Sequence, residues 1–375
     1  MKDPENGYTI AYPRRIIARS TTRAVMRVLL PIAFRIQITG RENFPASGPL
    51  IVVGNHAAAM EAVLMAVYTP WQVEMLGAAD IPHERVTQVA IKIFGFIPVN
   101  RGHVDRPALA QALDVLKQKG IVVIFPEGGI WQTGERRAQT GVAWLSYRAG
   151  APVLPIGFGG TMGALGAALK LQRPELTMNV GEPMPAARLP EGKARKVYLA
   201  EYAGQVLDAV SALLPADDPA RRVTIADERF ELQVATLGPD GAPADYPAGL
   251  AIRHATALAK LLHQPAILKI FTQNLRLPTR PLQELDDRPD AAVIADATRS
   301  ILDYLRDENP YLLTYRFGPR EAEAMQAGLE ELLAVAQWTA EAGFALAITP
   351  VRRFYSLDQG KEVVQIKQGS FEQWM

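Results

Sequence analysis

The chain has 375 residues, 49% of them apolar and 21% charged, which excludes a disordered or low-complexity protein and suffices for two domains with separate cores. It contains no cysteine, which excludes disulfides, thiolate metal sites and a cysteine nucleophile and suits a cytoplasmic protein. The formal net charge of +1 conceals an asymmetry, because residues 1–40 hold seven Lys or Arg against two Asp or Glu.

Arg15, Arg19, Arg23 and Arg27 recur every four residues and fall on one stripe of a helix. Ile16, Ile17, Val25, Met26, Val28, Leu29 and Leu30 fill much of the remainder, and Pro31 predicts a kink. Residues 1–40 therefore read as a basic amphipathic segment that lies on an anionic membrane surface without spanning it. The plainer alternative is a helix packed on the protein body with its arginines in solvent. Arginines interrupt every candidate core of a signal peptide.

Ser47 to Gly54 reads as a buried strand, followed by a loop and a helix over Glu61–Val67, so that His56 sits just past a strand end. A helix over Ala108–Lys119 stops at Gly120, and Ile121–Phe125 is a continuous apolar strand. Residues 141–149 are helical, 151–158 form another buried strand, and Glu175–Val180 alternate as a strand. The stretch Ala149–Leu169 is uncharged over 21 residues, but its six glycines and two prolines argue against a membrane span. A helix follows at 195–213, then a polar, breaker-rich segment at 215–220 that marks a domain boundary.

Strands alternating with helices predict an α/β layer for residues 41–215. Residues 216–375 form an α+β region without an assigned role. There, helical patterns at 245–263, 290–306 and 319–341 alternate with strand-like runs at 222–236, 309–317 and 344–367, the last turning at Asp358-Gln359-Gly360.

Candidate chemistry begins at Asn55-His56 and Glu61. A five-residue offset separates side chains by about 140° on one helix, so His56 and Glu61 meet only if His56 precedes the helix. A carboxylate on one imidazole nitrogen fixes the tautomer and leaves the other nitrogen to accept a hydroxyl proton. A thioester is an activated acyl donor, so such a base with an oxyanion site suffices without a covalent intermediate. No GxSxG elbow supports a serine hydrolase, and the five histidines show no metal-ligand spacing, so no metal is expected.

Four ordered blocks resemble those of the glycerolipid acyltransferases, the family that includes the lysophosphatidic acid acyltransferases. Asn55-His56 through Glu61 resembles the NHxxxxD block. Gly95-Phe-Ile-Pro-Val-Asn-Arg101-Gly102 resembles the second block, Phe125-Pro126-Glu127-Gly128 is the FPEG block, and Val153-Leu-Pro155-Ile156 resembles the fourth. The resemblance spans roughly residues 25–215 and implies a layered αβα domain with a mixed sheet. It further implies that His56 is the general base with Glu61 as its partner, and that Asn55, Arg101, Glu127 and Gly128 bind substrate, Arg101 through an acceptor phosphate. Two departures stand out. Glu61 replaces the usual aspartate, and Gly129-Ile-Trp131-Gln follows FPEG where the family commonly has Thr-Arg-Ser. Arg136 and Arg137 are candidates to replace the missing charge, though adjacent arginines in a loop are more often solvated.

Each site residue has a plainer reading. His56 is then a histidine satisfied by loop backbone, Glu61 a helix-start carboxylate, Arg101 a surface ion pair and Glu127 a turn residue. Trp131 and Phe158 read as packing ahead of an acyl channel.

The expected function is transfer of a fatty acyl group from acyl-CoA or acyl carrier protein to a lysophospholipid or glycerol-phosphate-like hydroxyl in phospholipid biosynthesis. No cofactor is expected beyond that co-substrate, and the protein would sit peripherally on the cytoplasmic membrane face. The alternatives are a non-catalytic lipid- or acyl-binding protein and a thioesterase. Basic residues outside the N-terminus are scattered and not interleaved with aromatics, so no nucleic-acid partner is expected.

Overall fold

The computed structural model describes residues 7–79, 85–100, 104–126, 139–216, 218, 225–244, 247–275 and 290–367. Two compact units divide the chain, with the main division between Arg222 and Val223, shortly after the breaker-rich segment.

The first unit opens with helix α1 (Ile16–Ala33) and strand β1 (Arg35–Thr39), followed by β2 (Leu50–Gly54), α2 (Met60–Tyr68), β3 (Glu74–Ala78), α3 (Arg85–Phe94) and β4 (Ile97–Val99). It continues with α4 (Arg106–Lys117), β5 (Ile121–Ile124), α5 (Gly141–Ala149), β6 (Val153–Gly159), α6 (Ala164–Leu169), β7 (Glu175–Val180) and α7 (Arg195–Ala212). The seven described strands form one sheet in the order β1-β7-β6-β2-β5-β3-β4, parallel at every junction but β6 with β7. The fold is the expected α/β class with a mixed sheet.

Helices cover both faces, and the alternation of side chains along the central strands shows how. Leu50 and Val52 of β2 join Leu154, Ile156 and Phe158 of β6 in a core under α1 and α2, while Ile51, Val53 and Val122 face the opposite core under α4, α5 and α7. Strands buried on both sides read as unbroken apolar runs, which is why β2, β5 and β6 are visible in the sequence. Strand β1 alternates with exposed Arg35, Gln37 and Thr39, and β3 and β4 are short. The sequence reading missed these three, together with α3 and α6.

Helix α1 directs part of its arginine stripe into the protein. Arg19 is 1% exposed and Arg23 8%, while Arg15 and Arg27 remain exposed and bond the protein at the two ends of the stripe. Arg15 donates to Ile91 O at 3.1 Å and Lys92 O at 2.5 Å, Arg19 to Phe94 O at 2.8 Å and Val73 O at 3.1 Å, Arg23 to Trp71 O at 2.9 Å and to Thr69 O, and Arg27 to Val67 O at 3.0 Å. Most of these carbonyls lie at the C-terminal ends of α2 and α3, where helix geometry leaves acceptors unpaired and the dipole favours cations. Burying guanidinium groups is costly, and here Glu74, itself fully buried, offsets part of the charge from 2.8 Å to both Arg14 and Arg19. The side left facing solvent is apolar, with Ile17, Val25, Val28, Leu29 and Ile32 all at least half exposed. No described helix is long and apolar enough to cross a membrane.

The second unit has an antiparallel sheet with the order β11-β10-β8-β9, from β8 (Ile225–Leu237), β9 (Pro243–Ala244), β10 (Ala345–Ser356) and β11 (Lys361–Ile366). Helices α8 (Ala255–Leu262), α9 (Pro265–Leu275), α10 (Ala291–Asp307), α11 (Leu312–Phe317) and α12 (Pro319–Glu341) build its core with residues such as Leu258, Phe271, Ile294 and Leu332. Two expectations change here. The run 309–317, expected as a strand, contains helix α11, and the helical pattern 245–263 resolves into a short 3-10 turn at Ala248–Leu250 and α8.

Candidate active site

Strand β2 delivers Asn55 and His56 to its C-terminal end, the edge of a parallel sheet where ligand sites collect. The last residue of the strand is Gly54, in a place too tight for a side chain. An added Cβ there would lie 2.6 Å from Met65 Cε and 2.8 Å from Phe158 Cε2. Asn55 is fully buried and bridges two strands: its Nδ2 donates to Phe158 O at 2.9 Å and its Oδ1 accepts from Phe158 N at 2.7 Å. Its place is a strut between β2 and β6, with no surface to offer a substrate.

His56 lies in the loop before α2, and Glu61 in the first turn of that helix. His56 Nδ1 is 3.6 Å from Glu61 Oε2, beyond hydrogen-bond reach, and this buried nitrogen has no hydrogen-bond partner among the described residues. The side chain retains 20% exposure, and none of it lies at the buried Nδ1. One ring face stacks on Phe125 at 4.1 Å between centroids and 14° between planes.

Glu61 is fully buried and heavily engaged. Its Oε1 accepts from Ala57 N at 3.2 Å, Ala58 N at 2.9 Å and Thr161 Oγ1 at 2.5 Å, and its Oε2 accepts from Ala58 N at 3.0 Å. The carboxylate thus caps the amides ahead of α2, a helix start with no side-chain cap from Ala59. The helix-start role and the histidine-facing role coexist in one side chain.

Phe125 and Pro126 follow β5, beside β2 in the sheet, so the start of the FPEG block lies next to His56. Arg101, Glu127 and Gly128 fall outside the described residues, as do Trp131, Arg136 and Arg137. Asp105 accepts from Asn100 N at 2.9 Å and from Ala108 N at 3.0 Å, and so ties the residue before Arg101 to the start of α4. Sequence reasoning assigned no role to Thr161 or to the ring of Phe125. The FPEG match pointed at the latter, and no sequence signal pointed at the former.

A buried strand that ends just before a histidine, with a carboxylate on the next helix and helices on both sheet faces, defines an αβα domain with an imidazole and a carboxylate together at the C-terminal end of its sheet. Residues 35–159, a third of the chain, match the Acyltransferase family model. A 1-acyl-sn-glycerol-3-phosphate acyltransferase of Borreliella burgdorferi is 28% identical over 138 residues, covering 36% of this chain and 55% of that protein. This chain therefore matches about half the length of that relative. The 1-acyl-sn-glycerol-3-phosphate acyltransferase of Bacillus subtilis is 21% identical over 161 residues, covering 42% of this chain and 78% of that protein. The crystal structure of the 1-acyl-sn-glycerophosphate (LPA) acyltransferase PlsC from Thermotoga maritima aligns with a TM-score of 0.39 at 18% identity, over 57% of this chain and 82% of that one.

Proposed function

We propose that this protein transfers a fatty acyl group from acyl-CoA or acyl carrier protein to the hydroxyl of a lysophospholipid, lysophosphatidic acid first among them. The observation that carries the reading is the placement of His56 just past the end of β2, with Nδ1 buried 3.6 Å from the Glu61 carboxylate and the side chain still partly exposed elsewhere. His56 takes the acceptor proton as the hydroxyl oxygen attacks the thioester carbonyl, the C–S bond breaks to expel the thiolate, and the imidazolium gives it the proton. Glu61 steadies the imidazolium, and the 3.6 Å separation shortens in the substrate complex, as contacts of catalytic groups commonly do. Arg101 and Glu127 place the acceptor.

The same proposal puts the protein on a membrane surface, where a lysolipid resides, with the apolar side of α1 toward the acyl chains. A second group supports that side: Met162, Leu165, Leu169 and Leu171 around α6 are exposed, and Arg173 Nη2 donates to Pro31 O at 2.8 Å, tying the loop after α6 to α1. Exposed Arg35, Lys170 and Arg173 fringe these residues with charge that suits anionic headgroups.

The test is an assay of purified protein with labelled acyl-CoA and acyl carrier protein donors and a panel of lysolipid acceptors, beside the His56→Ala variant. Acceptor-dependent transfer abolished in the variant supports the reading. Acyl release independent of acceptor points to a thioesterase, and binding of lipid without turnover to a non-catalytic protein.

A further inference from the structure

We propose that Thr161 is a positioning residue of the acyl-transfer site, whose hydroxyl holds one carboxylate oxygen of Glu61 so that the other faces His56; the inference rests on the reading of His56 as base. Thr161 is 3% exposed and its Oγ1 lies 2.5 Å from Glu61 Oε1, a bond between side chains one hundred residues apart. The two oxygens of Glu61 are not equivalent. Oε1 has the hydroxyl and two backbone amides, whereas Oε2 has a single amide and points to His56 Nδ1 at 3.6 Å.

The two amides both come from the segment just before α2, and Ala58 N bonds both carboxylate oxygens. The terminal torsion of a glutamate is broad and two-fold, and the Thr161 hydroxyl adds a third donor to Oε1 from a different segment of chain, which favours the orientation that leaves Oε2 toward His56. A shorter aspartate would have to draw the whole carboxyl group toward α2 and away from Thr161. The extra methylene of Glu61 and the hydroxyl of Thr161 therefore act as a matched pair, which gives the Asp-to-Glu departure a physical reason.

The chain is shaped to bring Thr161 there. Strand β6 ends at Gly159, and Gly160 turns with a φ of 71° that favours glycine. A Cβ at Gly160 would lie 2.2 Å from Glu175 O, so the turn passes against β7 with no room for a side chain. Asn55 holds the end of β6 through both backbone groups of Phe158, which fixes the start of that turn relative to His56.

The experiment compares wild type, Thr161→Val, Thr161→Ser and His56→Ala, using palmitoyl-CoA and lysophosphatidic acid for steady-state kinetics and histidine ring-nitrogen NMR for the state of His56. Valine is isosteric and lacks the hydroxyl. It is expected to lower kcat by about 100-fold with little change in KM, the scale of a catalytic group misplaced by about 1 Å. Serine restores most of the rate. In the spectra, the resonances absent from His56→Ala identify His56, which keeps one tautomer in wild type and in Thr161→Ser and becomes a mixture in Thr161→Val. Thr161→Ala serves the same comparison if the valine variant does not fold. A wild-type rate and unchanged His56 resonances in Thr161→Val, or no rescue by serine, would overturn the inference while leaving His56 as the base. An unaltered rate in His56→Ala would overturn the base itself, and this inference with it.

Discussion

Arg19 Nη1 lies 2.8 Å from Glu74 Oε1, and both side chains are withdrawn from solvent. The same guanidinium donates to Phe94 O and Val73 O, so one residue neutralises a buried carboxylate and satisfies two chain ends. Replacing Arg19 by leucine removes these together and is expected to cost about 3–5 kcal/mol, the scale of breaking one side of a buried pair. Urea titration followed by tryptophan fluorescence measures it, since Trp71 and Trp144 lie in the first unit. A loss below about 1 kcal/mol would show that the ladder is dispensable.

Exchange of Val28, Ile32 and Leu169 for serine should weaken binding to vesicles containing phosphatidylglycerol at least tenfold while leaving the melting temperature within a few degrees, because these side chains are exposed. Arg15→Gln should do the reverse, since Arg15 donates to Ile91 O and Lys92 O. Cosedimentation and calorimetry on the same samples separate the two. Vesicle binding lost only in the arginine variant would restore the basic-face reading.

Glu61→Asp tests whether the departure from the family pattern is adaptation or decay. The carboxylate here has donors from Ala57, Ala58 and Thr161, and a shorter side chain cannot hold them all. The expected result is a fall in kcat of about 100-fold. A gain in rate would identify a site drifting away from catalysis.

Phe125 stacks on the His56 ring at 4.1 Å and limits its rotation. Phe125→Ala should reduce kcat by about tenfold or more, and Phe125→Tyr should keep it, as the stacked face is unchanged. Equal rates for phenylalanine and alanine would show that the loop alone orients the imidazole.

In the second unit, the His263 imidazole is held down at about 4 by burial first, then by the nearby Lys367 and Arg352 charges, against a hydrogen bond to the Pro350 carbonyl. The folded chain keeps it neutral while the unfolded chain protonates it near its ordinary value of 6.5, so below that pH the unfolded state binds the extra proton. The contribution of this group is present above about 6.5 and is lost as pH falls toward 4. Denaturant midpoints of wild type and His263→Gln across this range should converge at low pH. Parallel curves would exclude His263 as the source.

The sequence revealed the sheet core more readily than the surface. Doubly buried β2, β5 and β6 announce themselves as apolar runs, and the strand-loop-helix order around His56 follows from Gly54 and the helix that starts near Glu61. The arginine period of α1 was equally plain, but periodicity says which residues share a face and not which face is covered. That choice depends on carbonyls at Val67, Thr69, Trp71 and Phe94, which become neighbours only in the folded chain. Thr161 escaped for the same reason: its partner is a hundred residues distant, and a threonine after a glycine pair carries no mark of its role.

The inward arginines also decide what kind of attachment α1 provides. A helix held by its polar side to the ends of two others cannot be peeled away to enter a bilayer, nor trimmed off as a dispensable tether. Trimming it would strip Arg19 from Glu74 and leave Leu30 missing from the core beneath β2 and β6. A protein shortened by this helix would lose packing that its first unit depends on.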